Sequence, residues 1–431
     1  MAIIMQCQSR EISLTIVLQT LGTRGDVEPF VALARGLRQA GHHVRLAAGS
    51  EFEGMVRGSG VEYAPLHVNF REILAENPWR AGFGGLGSAI KAYSQINPLM
   101  RGLLDDSLSA AAGADLLVYH PKILAGPHIA EKLGIPAFVA LALPALSPTT
   151  AFPTPLFSFP SMSAFTNRMS HRMVLAGSAV STRGLLDEWR ASRLGLPSAR
   201  TAGTSLLSVA GAVVPRLYAY SPALVPTPAD WTPDDHVTGY WFSQPDLAYE
   251  PPADLVVFLN SGAPPLYVGF GSMNVAGAAG RTGIIVEALR RANVRGVMSR
   301  GWGGLESVNG ADHIHFVDQV PHDWLFPKVR AVVHHGGSGT THAGLRYGRP
   351  TMICPVLGDQ PFWAHHVHAL GLGPRPIRLS RLSLEPLAAA FKDLSENQGY
   401  AERSRSIGHQ FSRDDGIGAS IELIQARLRR G

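Results

Sequence analysis

The run His334-His335-Gly336-Gly337-Ser338-Gly339-Thr340-Thr341 combines the residue types that hold a phosphate. Its glycines let phosphate oxygens approach the backbone, and a helix starting within the run would point unpaired N–H groups and its dipole at the anion. A diphosphate fits such a turn, although an ordinary Gly-rich strand-to-helix connection has the same composition. A second candidate, Gly269-Phe270-Gly271-Ser272-Met273, follows an apolar run and would bring Ser272 to a phosphate. In the third, Gly358-Asp359-Gln360-Pro361, the adjacent Asp359 and Gln360 can accept from and donate to neighbouring hydroxyls, as on a hexose. None of these segments suggests hydride transfer. His365, His366 and His368 lack ligand spacing with a carboxylate and His42-His43 sits at a turn, so packed or solvated roles are expected for them.

All three segments lie where a strand should end. Residues 14–19 are apolar and β-branched and stop at a Gly-containing loop, after which Phe30, Leu33, Ala34 and Leu37 recur at helical spacing up to Gly41. Strands are predicted again at 44–48, 116–119 and 137–142, with a helix over 129–133 closed by Gly134. The alternation returns with strands at 266–270, 296–299, 313–317, 331–335 and 351–355, and with helices beginning near Thr282, Gly339 and Phe362. This pattern predicts an α/β fold of two Rossmann-like domains with parallel, doubly wound sheets, whose ligands sit at strand carboxyl ends. Expected bounds are 1–245 for the N-terminal domain, 246–256 for a linker and 257–410 for the C-terminal domain. Residues 411–431 are expected to form a terminal helix that packs back on the first domain. Gly-rich 81–87 and the Pro-, Ser- and Phe-rich 147–163 suit loops or irregular helices.

Composition narrows the function. The 431 residues are 45% hydrophobic and 16% charged, enough apolar material for large cores and no case for disorder. The net charge of +5 is spread without like-charge runs, so nucleic acid is not implied as a partner. Only 5 of the 38 basic residues are lysine, a bias that suits a GC-rich genome better than a phosphate-binding surface. Cys7 and Cys354 lie far apart, and a reducing, cytoplasmic setting without disulfides is expected. No apolar run reaches membrane-spanning length, the longest candidate (135–146) being broken by Pro144, so neither export nor a membrane span is expected.

The segment from His335 to Gln360 resembles the nucleotide-sugar donor signature of family 1 glycosyltransferases of the GT-B fold, in which the histidine and the Asp-Gln pair are likewise 24 residues apart. Gly22-Thr23-Arg24-Gly25-Asp26-Val27-Glu28-Pro29, Ser221-Pro222, Val237-Thr238-Gly239-Tyr240-Trp241-Phe242 and Pro321-His322-Asp323-Trp324-Leu325-Phe326-Pro327 resemble the sterol glucosyltransferase and bacterial antibiotic glycosyltransferase branch. The resemblance implies two Rossmann-like domains facing across a cleft, with acceptor on the first and donor on the second. It also implies an inverting transfer of a hexose, glucose from UDP-glucose first among the candidates, to a hydroxyl of an apolar polycyclic acceptor such as a sterol, polyphenol or polyketide. The donor diphosphate would meet Ser272, His335, Gly337, Gly339 and Thr340, and the sugar would meet Asp359 and Gln360.

Departures matter as well. Val317 and Ala343 stand where plant-type members carry the uracil-stacking Trp and the ribose-binding Glu, which leaves UDP and dTDP both open. Nucleoside recognition is then expected from backbone groups near Val320 and from stacking on Trp302, which a packed or hinge aromatic would explain equally. Where plant relatives place a general-base histidine, this chain has Asp26. A carboxylate can take the acceptor's proton, but Asp is equally a common N-cap for a helix, here one beginning near Pro29. Phe152, Phe157 and Phe159 either line the acceptor site or pack. No Asp-x-Asp occurs, so a metal cofactor is not expected. A nucleotide-sugar epimerase and a catalytically silent nucleotide-sugar-binding partner are the competing readings.

Overall fold

The computed structural model describes residues 13–67, 99–156, 163–245, 248–271, 278–300 and 311–429. Five strands of the first half, β1 (Thr15–Gln19), β2 (His43–Gly49), β3 (Glu62–Leu66), β4 (Leu116–Tyr119) and β5 (Ala137–Leu141), pair in parallel in the order β3-β2-β1-β4-β5. Ile16 stands opposite Val44 on one side and Leu116 on the other. β4 and β5 are buried throughout, as strands covered on both faces must be. β3 carries Pro65 and little alternation, which is why its sequence does not announce a strand.

A short hairpin, β6 (Ser208–Val209) with β7 (Ala212–Val213), and the short strands β8 (Arg216–Tyr218) and β9 (Asp235–Val237) precede the second parallel sheet. That sheet consists of β10 (Leu266–Gly269), β11 (Gly296–Ser299), β12 (Ile314–Val317), β13 (Ala331–His334) and β14 (Thr351–Ile353), in the order β12-β11-β10-β13-β14. Period-two alternation splits its side chains between two cores. Leu266, Val268, Met298, Val333 and Met352 pack against Leu289 and Phe391, while Tyr267, Val297 and Val332 pack against Leu325 and Phe326. Each such buried aliphatic side chain contributes about 1.5–3 kcal/mol.

The chain divides into two compact units, one of Met1–Leu141, Ser178–Leu217 and Ile417–Gly431, the other of Ala142–Gly177 and Tyr218–Gly416. The division at 217/218 precedes the expected 246–256 linker, and part of that linker is the helix Ala253–Asn260. Within the second unit, Ser338 Oγ donates to Ala142 O at 2.9 Å, and Ser221 N–H donates to His342 Nε2 at 3.2 Å. Both contacts tie residues from the expected first domain to the second unit. The helix Gly416–Leu428 lies with the first unit, where the absent side chain of Gly36 makes room for Ile417 and Gln425 Nε2 reaches His42 Nε2 at 3.3 Å.

The middle of the chain is more regular than its composition suggests, since Ala164–Trp189 is one 26-residue helix. It is inside out. Asn167, Ser170 and His171 are buried and bonded to Thr150 O, Thr154 N–H and Phe152 O, whereas Phe165, Met173 and Val180 are 71%, 68% and 67% exposed. Where a helix turns polar groups inward, that stretch carries no apolar stripe to read.

Candidate functional site

In the first sheet, β1 has β2 on one side and β4 on the other, so the chain leaves in opposite directions and a crevice opens at the carboxyl ends of β1 and β4. The loop after β1 passes through Gly22, at φ +142°, where a Cβ would overlap the Asp26 carboxylate. Thr23 is the N-cap and the helix runs Arg24–Gln39, starting earlier than the expected Pro29, which lies inside it. Asp26 is therefore not the N-cap. It occupies the third helical position of a capping box, with Oδ2 accepting from Thr23 N–H at 2.8 Å and from Thr23 Oγ1 at 3.3 Å.

Two residues that sequence reasoning missed face Asp26 from the loop after β4. Lys122 Nζ lies 2.9 Å and His120 Nε2 3.5 Å from Asp26 Oδ1. Burial alone raises the Asp26 carboxyl, but the Lys122 ammonium, then the His120 ring and the hydrogen bonds outweigh it, holding the group below its ordinary value. Burial pushes His120 down to about 3, with Lys122 acting in the same direction and Asp26 against it. The ring is neutral at pH 7. Because its Nδ1 accepts the Lys122 N–H at 3.2 Å, its proton is assigned to Nε2, on the Asp26 side. The available signal was positional: His120-Pro121-Lys122 follows the strand that neighbours β1.

The second sheet repeats the geometry. β10 lies between β11 and β13, and Gly269 stands opposite His334, so the loops after β10 and β13 share a crevice. A Cβ on Gly271 would lie 3.0 Å from His335 Cε1. Beyond His335, Gly336 takes φ +100° and Gly337 N-caps the helix Ser338–Arg346. The first-turn N–H groups of Ser338, Gly339 and Thr340 have no intrahelical acceptors, and a glycine cap has no side chain to supply one. This is an anion cradle with room for oxygen atoms. Burial, reinforced by His322, pushes His335 down to about 4, so it serves as a neutral group, and its buried Nδ1 has no hydrogen-bond partner among the described residues.

The sugar turn touches this cradle. A Cβ on Gly336 would lie 3.1 Å from Gln360 O and 3.2 Å from Gln360 Cβ, so the two signature segments meet at Gly336. Asp359 is the N-cap residue of the helix Gln360–Ala369, which starts before the expected Phe362, but its Oδ2 accepts from Trp363 Nε1 at 2.9 Å instead of from a first-turn N–H. Gln360 is buried, and its Oε1 accepts from Val356 N–H at 2.7 Å and Leu357 N–H at 3.2 Å. That oxygen shapes the turn, a role not foreseen for it.

Other expected site residues fare differently. Phe152 is buried, its ring edge-on to Phe362 at 5.3 Å and to His366 at 6.4 Å within the second unit. The Val320 side chain packs partly buried on the Tyr267 cluster. Ser272, Trp302, Phe157 and Phe159 lie outside the described residues. His342 was not foreseen, yet it anchors the cradle helix: Nδ1 pairs with Ser338 O at 2.8 Å, and the ring stacks on Tyr240 at 4.5 Å and lies near Phe411. The Ser221 and Tyr240 motifs are thus supports beneath the anion turn. Among the described residues no group of three or more His, Cys, Asp or Glu side chains could hold a metal ion, and no helix is long and apolar enough to cross a membrane.

Known proteins share this fold and family. Residues 16–151 match the glycosyltransferase family 28 N-terminal domain, and residues 304–414 match the erythromycin biosynthesis protein CIII-like C-terminal domain. The solved glycotransferase of kitacinnamycin superimposes with a TM-score of 0.70 at 18% identity, over 96% of this chain and 99% of that one. The glycosyltransferase SnogD from Streptomyces nogalater gives 0.63 at 20% identity, over 96% and 100%. The fold is that of the GT-B glycosyltransferases, built from two Rossmann-like domains. Two sterol 3-beta-glucosyltransferases of Arabidopsis thaliana are 36% and 34% identical over 96% of this chain, which spans 65% and 68% of their lengths. That of Leptosphaeria maculans is 36% identical over 97% of this chain, which spans 29% of its length. The chain belongs to the sterol glucosyltransferase family.

Proposed function

We propose that this chain transfers a hexose, glucose foremost, from a nucleoside diphosphate sugar to a hydroxyl of an apolar polycyclic acceptor, a sterol or a natural product, with inversion at the anomeric carbon. The observation that carries the proposal is the contact between the anion turn and the Asp359-Gln360 turn at Gly336, which suits a diphosphate with a sugar attached. UDP is the expected nucleotide by likeness to glucosyltransferases; thymidine diphosphate, bound by the structural neighbour SsfS6, is the other.

In this reading the acceptor oxygen bonds to the anomeric carbon as the carbon–phosphate oxygen bond breaks on the opposite side. Asp26, ionised at pH 7, takes the hydroxyl proton. Negative charge gathers on the departing diphosphate, where the Ser338, Gly339 and Thr340 N–H groups and a neutral His335 N–H stabilise it without a metal. In this reading the reaction runs in the reducing cytoplasm, as two cysteines far apart in the sequence suggest.

The test is a mass-spectrometric screen of alcohol and phenol acceptors with UDP- and dTDP-hexoses, with and without EDTA. Metal-independent glycoside formation is expected, and Asp26→Asn should slow transfer to an aliphatic alcohol roughly 10²–10⁴-fold while leaving donor binding intact. Epimerised donor without glycoside would overturn the reading, as would unchanged turnover by Asp26→Asn.

A further inference from the structure

Asp26 is approached from two elements. On its own helix turn, Thr23 donates both its N–H and its hydroxyl to Oδ2. From the loop after β4, Lys122 lies 2.9 Å from Oδ1, and His120 Nε2 stands farther off at 3.5 Å. The His120 ring is neutral at pH 7. Arg24, the nearest cation along the helix, turns instead to Glu28 at 3.1 Å. Among the described residues, Lys122 is therefore the cation that faces this carboxylate. Thr23 donates twice to Oδ2, whereas Oδ1 has Lys122 at 2.9 Å and only the longer approach of His120 Nε2 at 3.5 Å, so Oδ1 is the less committed oxygen for a substrate hydroxyl.

We propose that Lys122 is a positioning residue for the transfer reaction, fixing Oδ1 of Asp26 as the oxygen that receives the acceptor's proton and driving that proton on to water before the next turnover. The inference rests on the reading of Asp26 as the base. As the glycosidic bond forms and the diphosphate leaves, the hydroxyl proton arrives on Oδ1 and the ion pair with Lys122 is lost. Recovery of that pair favours release of the proton to solvent, which restores the carboxylate. Without Lys122, burial would act on Asp26 with less opposition, and the carboxyl would hold its proton.

The experiment uses Lys122→Met and Lys122→Arg, with Asp26→Asn as reference, assayed on an aliphatic alcohol acceptor from pH 5 to 9. The Lys122 side chain is 40% exposed, so its removal leaves no buried cavity, and melting temperatures check that each variant is folded. Loss of an adjacent opposite charge should move the acid limb of kcat/KM upward by about 1–3 pH units in Lys122→Met. Lys122→Arg should keep the limb near the wild-type position. A 13C titration of the Asp26 carboxyl, assigned with Asp26→Asn, should move in parallel without requiring turnover. An unmoved limb and an unmoved carboxyl titration in folded Lys122→Met would overturn the proposal while leaving Asp26 as the base. Wild-type turnover by Asp26→Asn would instead remove the base reading and the inference with it.

Discussion

At the residue scale, the Asp359-Gln360 pair divides its labour. Gln360 uses its amide oxygen on the Val356 and Leu357 N–H groups, so a change there disturbs the turn itself. Asp359 carries the sharper test, because its Oδ2 also satisfies the Trp363 indole. Asp359→Ala strands that buried donor and should lower stability by about 1–3 kcal/mol. Asp359→Asn keeps an oxygen for Trp363 and removes the charge, so melting temperature should stay near wild type. If the carboxylate also bonds a hexose hydroxyl, the Asn variant should lose roughly 10-fold or more in transfer. Affinity for the free nucleoside diphosphate should not change. Equal weakening of sugar donor and free diphosphate, measured by kinetics and calorimetry, would take Asp359 out of the sugar site.

At the element scale, both crevices are made by a strand, a strained glycine and a helix start. Gly336 is the most exacting of these positions: at φ +100° an L-residue is strained, and its Cβ would lie 2.6 Å from Ile353 Cγ2. Gly336→Ala should therefore cost about 1–3 kcal/mol of stability and displace the cradle from the Gln360 turn. Diphosphate affinity and melting temperature should fall together. A variant that melts like wild type and binds diphosphate as tightly would show that the backbone there tolerates a side chain. The helix Ala164–Trp189 makes the complementary point, since its N-terminal part is held by buried bonds of Asn167, Ser170 and His171 and only its end by buried Leu185, Leu186 and Trp189.

At the scale of the whole molecule, the notable feature is the number of histidines held neutral by burial. His120 is pushed down to about 3, and His128, His335, His342 and His366 to about 4. In the unfolded chain these rings take protons near pH 6.5, so between about pH 6.5 and 4 the unfolded state binds more protons than the folded one. Stability present above pH 6.5 must therefore drain away as pH falls through that window. The lowered carboxylates Asp26 and Glu131 add their loss only below their ordinary range. Melting temperature should be highest near neutrality and decline steadily from pH 6.5 to 4.5. A flat profile across that interval, measured by calorimetry, would show that these rings protonate in place.

How much of this was written in the sequence depends on distance along the chain. Strand runs such as 116–119 and 296–299, the glycine turn at 336–337 and the Asp359-Gln360 pair are local patterns, because side-chain alternation, backbone freedom and hydrogen-bonding type act within a few residues. The donor segment from His335 to Gln360 spans only 26 residues, and its resemblance to the family signature was legible for the same reason. The long helix and β3 escaped notice because their polar and apolar residues do not follow the expected period. Lys122 and His120 could not be linked to Asp26 from spacing alone, being 96 and 94 positions away. Their meeting follows from parallel pairing of β4 with β1, a long-range hydrogen-bonding choice that no local segment encodes. The same holds for the packing of Phe152 against Phe362 and His366, more than 200 positions further along the chain. Residue types and short spacings determined which chemistry this chain carries; strand order and burial, which depend on the whole folded chain, decided the partners and charge states of the groups that perform it.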